Sequence, residues 1–285
     1  MDDAHTSKAL RGDYSRARSD YSVEQSWHAY SEADHALWRR LYARQTEQVA
    51  AYACREFAEG LKLTDCAERI PDIDRISELL EARSGWRLIA VPGFIPNEQF
   101  FAHLAARRFP VTVWIRKPEE FDYLVEPDIF HDFFGHVPMF FDPTFAAFMQ
   151  RFGELGLQAL HDGALALVAR LYWYTVEFGL IEQDGELRAF GAGILSSAGE
   201  TRYSVGSPVP QRIRLDVARC MRTQYRIDDY QKTYFVIRSI DELVAAVTQD
   251  LGPMIATQRE LPELLAERHY PGDHRVPPRT ALRAA

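Results

Sequence analysis

From Leu37 on, apolar side chains recur every three to four residues, through Leu41, Val49, Tyr52, Ala53 and Phe57. That period predicts one long amphipathic helix, opened by Ser31 with Asp34 three residues later and closed by Gly60. A second helix is predicted from Pro71-Asp72 to Ser84-Gly85, then a buried strand at WRLIAV (86–91), a loop at PGFIP (92–96), a helix at NEQFFAHLAARR and a β-branched strand at VTVWI (111–115). Helices are predicted at 143–157, 162–179, 213–225, 239–249 and in the second half of GILSSAGETRYSV. A hairpin is predicted around Asp184-Gly185 and a strand at TYFVI (233–237). Residues 1–20 are polar and aperiodic, which predicts a flexible arm, and residues 271–285 read as a loose tail. No repeat, low-complexity run or linker interrupts the middle. The expected fold is one mostly α domain over 21–270 with small β-hairpin and strand pieces.

Composition narrows the function more than the fold. The 285 residues carry 33 Lys and Arg against 41 Asp and Glu, a net charge of −8. A general nucleic-acid or anionic-membrane binder needs a basic footprint, so neither is expected. No run approaches the roughly 18 apolar residues of a membrane helix, and the first residues lack the apolar core of a secretory signal. Cys54, Cys66 and Cys220 make no C-x-x-C. That usage fits a reducing cytoplasm and argues against a disulfide framework or structural zinc.

One segment breaks the pattern. FDYLVEPDIFHDFFGHVPMFFDP (121–143) is crowded with aromatics, prolines and histidines. His131 and His136 stand five residues apart, which on a continuous α-helix separates them by about 140°. Pro127 suits a first helical turn and Gly135 suits its end, so His136 is expected past the helix end, swung back beside His131. Two unrelated core or surface histidines are the alternative. A third ligand is available in LARLYWYTVEFGLI, where Glu177 is the single acid in an apolar stretch. A buried carboxylate is costly unless it is paired or ligates a metal. Two histidines and a carboxylate match the facial triad of non-haem Fe(II) oxygenases, but zinc hydrolases use the same ligand types, so the set alone leaves the metal open.

EPDIFHDFFGHVP, RLYWYTVEFGL and FGAGILSSAGE closely resemble the aromatic amino acid hydroxylases, above all their short bacterial phenylalanine-hydroxylating members. The resemblance extends from about Tyr21 through VEQSW, VPGFIP and RRFPVTVWIRKP to YQKTYFVI. It implies the family's mostly α catalytic fold and a monooxygenase that uses one non-haem iron, O2 and a tetrahydropterin. L-phenylalanine would become L-tyrosine, with 4a-hydroxytetrahydropterin as co-product. The regulatory and tetramerisation segments of animal members have no counterpart here, which fits a monomer, and a separate enzyme would recycle the pterin.

By that resemblance His131, His136 and Glu177 hold Fe(II). Gly93, Ile95, Phe100, Asp132 and Tyr172 line the pterin pocket, with Phe100 as the stacking ring and Asp132 standing where animal members usually carry Glu. Arg116 grips the substrate carboxylate with Asp128 in support, and Pro127, Trp173 and Phe178 wall the substrate ring. Ser196 orients His131. Ile227 stands where tyrosine hydroxylases carry Asp, and Trp173 where tryptophan hydroxylases usually carry Phe. Leu124 replaces a hydroxyl residue of animal members. Glu200 lies in a family motif and reads equally as a structural ion pair. His28, His35, His103 and His161 are left as solvated or packing residues. The rival readings are tyrosine or tryptophan hydroxylase, a zinc hydrolase, and a binding protein that keeps the fold without turnover.

Overall fold

The long helix predicted from Ser31 begins there but stops early. In the computed structural model, which describes residues 10–124 and 126–279, α1 spans Glu32–Tyr52. Its capping box is closed by the Asp34 N–H on Ser31 Oγ and by the Ser31 N–H on Asp34 Oδ2 at 2.8 Å. Ala53 then turns extended, because it bridges Ala189 and the Cys54 N–H donates to the Ala189 carbonyl at 2.8 Å. A separate helix, α2 (Arg55–Thr64), follows. The apolar period runs through this break, which a distant backbone partner imposes.

α3 (Ile73–Ser84) matches its prediction: Asp72 accepts the amides of Asp74 and Arg75, and Gly85 at φ 75° ends the helix. β1 (Arg87–Val91), α4 (Asn97–Ala105) and β2 (Arg108–Thr112) form a parallel β–α–β unit with Arg87 opposite Arg108 and Val91 opposite Thr112. β2 starts before the β-branched run because Arg108–Pro110 complete the ladder with β1. The loop between β1 and α4 is the predicted 92–96, and it becomes one wall of the site.

α5 (Pro143–His161) and α6 (Leu165–Tyr172) lead into the predicted hairpin of β3 (Leu180–Gln183) and β4 (Glu186–Ala189). Asp184 and Gly185 both have positive φ, as a tight two-residue turn requires. Two short helices follow, α7 (Ala192–Leu195) and α8 (Ala198–Gly206). The predicted helix 213–225 is instead a strand, β5 (Gln211–Arg214), and a short helix, α9 (Val217–Arg222). The reason lies in β6 (Thr233–Ile237), which is buried at every residue and needs a partner on each edge. β3 and β5 supply them, both parallel to β6, in the order β4-β3-β6-β5. α10 (Ile240–Thr248) packs on α5, and α11 (Gly252–Arg259) is a helix the sequence pattern did not show. One apolar cluster unites these pieces, with Trp38, Trp86, Phe130, Phe133, Phe134 and Phe140 fully buried in it. No helix of the described residues is long and apolar enough to cross a membrane.

Both expected loose ends are anchored where they are described. Residues 274–276 cover the outer edge of β5: the Arg214 N–H donates to His274 O at 2.9 Å and the Val276 N–H to Arg212 O at 2.8 Å. Arg279 pairs with Glu186 at 2.9 Å. In the arm, Arg11 binds Glu120 and the Tyr14 hydroxyl donates to Phe94 O. Residues 1–9 and 280–285 lie outside the described residues.

Arg212 on β5 is 3% exposed and donates to the carbonyls of Tyr203, Ser204, Ser207 and Pro210, around the C-terminus of α8. Burial pushes its pKa down to about 10, so it stays charged at neutral pH. Arg212→Met strands the two buried acceptors among them, the Ser204 and Pro210 carbonyls, and lowers unfolding free energy by about 2–6 kcal/mol, at about 1–3 kcal/mol per stranded buried group. Chemical denaturation measures this; a loss below about 1 kcal/mol removes Arg212 from the framework.

Candidate active site

The two histidines meet by a route the spacing argument did not take. Phe130–His136 wind as a π-helix, in which hydrogen bonds close on the fifth residue back and side chains five apart share a face. The chain thus stays helical through Gly135 and His136, and nothing has to swing back. The cap is Asp128 instead of a helical turn begun at Pro127: its Oδ1 accepts the His131 N–H at 3.1 Å. The imidazole centroids are 5.2 Å apart with their planes at 82°. Glu177 ends a second π turn, Trp173–Glu177, directly after α6, with the Phe178 N–H donating to Trp173 O at 2.9 Å. This turn is why α6 falls short of its prediction.

The two π turns bring three donor atoms together. Glu177 Oε1 lies 3.2 Å from His136 Nε2 and Oε2 lies 3.5 Å from His131 Nε2. The set fits within 4.8 Å, and no other trio of His, Cys, Asp or Glu converges this way among the described residues. Close backbone approach makes it possible. A Cβ at Gly135 would sit 2.8 Å from the Ala192 carbonyl, and one at Gly191 would sit 2.5 Å from the Glu177 carbonyl. α7 therefore lies against both turns and delivers Ser196, whose Oγ is 2.9 Å from His131 Nδ1. A proton on Nδ1 donated to Ser196 leaves the Nε2 lone pair aimed at the carboxylate.

The electrostatics suit a cation. Burial alone would raise the Glu177 carboxyl, but the imidazoles of His136 and His131 hold it below its usual value. Burial pushes the His131 imidazole down, toward its neutral form. A carboxylate with neutral imidazole is the protonation state that metal binding requires. Two nitrogens and a carboxylate on one side, with the other side open to a cleft, fit non-haem iron.

That cleft is lined by Gly93, Phe94, Ile95, Asn97, Phe100, Phe109, Thr112, Pro127, Asp132 and Tyr172 together with the three ligand candidates. All five expected pterin residues are among them. The Phe100 ring meets Tyr172 edge-on, centroids 5.6 Å apart. Asp132 accepts the Thr112 N–H at 2.8 Å, and burial raises its carboxyl. Phe94 and Asn97, which flank the expected loop positions, and Val91, Phe109, Pro110 and Thr112 on the paired strands were missed; the β–α–β unit brings them to the cleft.

Of the residues expected at the amino acid end, only Pro127 lines this cleft. Arg116 and Asp128 form a buried bidentate pair, Nε to Oδ2 at 2.9 Å and Nη2 to Oδ1 at 2.8 Å. Trp173 packs its ring on Phe178 at 4.8 Å and on Tyr225 at 4.5 Å. Ile227 is 48% exposed, on the chain between α9 and β6, and like Arg116, Trp173 and Phe178 it does not line this cleft. Glu200 makes no ion pair among the described residues; its Oε1 accepts the Tyr234 hydroxyl at 2.6 Å and the Gln231 N–H at 3.2 Å. Burial raises its pKa to about 7.

Comparison with known proteins gives the family. The profile described as biopterin-dependent aromatic amino acid hydroxylase matches residues 9–252. This chain belongs to that family. Curated phenylalanine-4-hydroxylases from Ralstonia nicotianae and Caulobacter vibrioides are 50% and 49% identical to it, each over 90% of this chain and over 82% and 88% of their own lengths. The solved Chromobacterium violaceum phenylalanine hydroxylase with bound oxidised Fe(III) superposes with a TM-score of 0.88 at 47% identity, covering 90% of this hydroxylase and 94% of that chain. The mostly α architecture with two small sheets is therefore the family's catalytic fold.

Proposed function

We propose that this hydroxylase converts L-phenylalanine and O2 to L-tyrosine, with a tetrahydropterin as co-substrate and Fe(II) held by His131, His136 and Glu177. One observation carries the reading: the triad opens into the same cleft that Gly93, Ile95, Phe100 and Tyr172 enclose. Iron and the reduced pterin supply the electrons that activate O2. The chain's residues do the rest. Ser196 holds the His131 ring, and Phe100 offers an aromatic face to a flat heterocycle. Asp132 presents a carboxylate at the cleft wall, and the remaining donors of the Arg116 fork meet the amino acid's carboxylate. Trp173 and Phe178 receive the ring and exclude water. The reading includes a monomer in the cytoplasm, where three buried unpaired cysteines are at home, and a separate enzyme that reduces the spent pterin.

The test is anaerobic Fe(II) reconstitution followed by aerobic assay of phenylalanine with and without reduced pterin. Tyrosine formed only with both iron and pterin supports the reading; pterin-independent turnover, or hydrolysis with zinc, overturns it. Substrate choice is tested at Ile227. Ile227→Asp raises the tyrosine-to-phenylalanine ratio of kcat/KM by about tenfold, the worth of one new hydrogen bond to a substrate hydroxyl. Because the side chain is half exposed, stability stays within about 0.5 kcal/mol. An unchanged ratio removes Ile227 from the specificity set, and a wild type that prefers tyrosine or tryptophan overturns the phenylalanine assignment.

A further inference from the structure

The 92–96 loop has a demanding task, if it holds the pterin as proposed above. A planar heterocycle read by backbone groups needs them fixed in place, yet this stretch is neither helix nor strand. We propose that residues 11–14 form a strap that sets this loop for the tetrahydropterin, with Tyr14 as its positioning residue.

Three contacts build the strap. The Tyr14 hydroxyl donates to Phe94 O at 2.8 Å, the one side-chain hydrogen bond that residues 92–96 receive among the described residues. Gly12 lies directly on the loop: a Cβ there would sit 1.6 Å from the Pro92 carbonyl oxygen, so no other residue fits. Arg11 fastens the strap's start, with two 2.8 Å bonds from Nη2 to the Glu120 carboxylate and its guanidinium 4.9 Å from the Trp114 ring centre.

The other contacts around Gly93 show why the strap matters. Gly93 has φ 151°, and a Cβ on it would meet Tyr14 Oη at 2.9 Å, Glu126 Oε1 at 3.0 Å and Trp114 Nε1 at 3.6 Å. Glu126 Oε1 and Trp114 Nε1 are buried and make no hydrogen bond. Two polar groups thus flank the loop without gripping it, and Tyr14 alone among these three side chains fixes it. Gly93, Phe94 and Ile95 all line the cleft, so a loop released by Tyr14 costs pterin binding first, while the Arg116–Asp128 pair and the triad keep their own supports.

Tyr14→Phe keeps the ring and deletes the bond. It raises the apparent KM for tetrahydropterin about threefold to tenfold, as expected for one hydrogen bond, with phenylalanine KM, iron content and kcat at saturating pterin unchanged. Arg11→Ala, which touches neither loop nor cleft, shifts pterin KM in the same direction. Amide hydrogen exchange at Gly93–Ile95 quickens in both variants. A pterin KM unchanged in Tyr14→Phe, or an equal rise in both KM values with faster exchange throughout the core, overturns the strap. Phe100→Leu separates the two readings. If it raises pterin KM while Tyr14→Phe is silent, only the strap falls; if Phe100→Leu is silent too, the pterin cleft is misplaced and the strap falls with it.

Discussion

Alanine at His131, His136 or Glu177 removes bound iron and turnover together while the chain stays folded. Each of these side chains supplies one donor of a three-donor set, and no other His, Cys, Asp or Glu trio of the described residues can replace it. Turnover falls by at least about a thousandfold, or ~4 kcal/mol of barrier at 1.36 kcal/mol per decade. Stability changes far less, because an open catalytic site is less structural than a closed four-ligand one. Metal analysis, activity and thermal unfolding on the three proteins provide the check. Full iron occupancy with ordinary turnover in any of them refutes the triad.

The second large effect belongs to Arg116. Arg116→Lys raises phenylalanine KM about 10- to 150-fold, because an ammonium cannot reproduce a planar fork and a charge-assisted bond contributes roughly 1.5–3 kcal/mol. Asp128 is fully buried and accepts from Arg116 N–H, from its guanidinium and from the His131 N–H. Lysine leaves part of that carboxylate unpaired, so a milder loss of stability accompanies the KM effect. Pterin KM moves little, since neither Arg116 nor Asp128 lines the cleft that holds Phe100. Steady-state kinetics in both substrates decide it: an unchanged phenylalanine KM makes Arg116 a purely structural residue.

The parts of this molecule that were legible in its sequence are those written locally. Ser31 and Asp34, Asp72 and Gly85, and Asp184-Gly185 carry their own caps and turns, and each stands where the pattern put it. The convergence of His131, His136 and Glu177 was legible because two histidines and an isolated acid are expensive residues in apolar surroundings. What the pattern could not show was set from a distance. Ala189 breaks the first helix, and β6 turns residues 211–214 into a strand. The π turns were hidden for a different reason. Apolar periodicity tests for 3.6 or 2 residues per repeat, and one wider turn inside a helix leaves no period of its own. Tyr14 and Gly12 were hidden because the residues they touch lie some eighty positions away.

The widened turn at Phe130–His136 has a consequence for how this centre could have arisen. It holds one residue more than a regular helical turn, so the spacing of the two histidines and the local winding are a single property. Deleting one residue between them would let the helix relax and would leave the histidines four apart, the spacing of zinc-binding helices. Both imidazoles would survive such a deletion, but their bearing on Glu177 would not. Chain length between the two histidines, counted in single codons, is thus as much a part of this site's geometry as the donor side chains themselves.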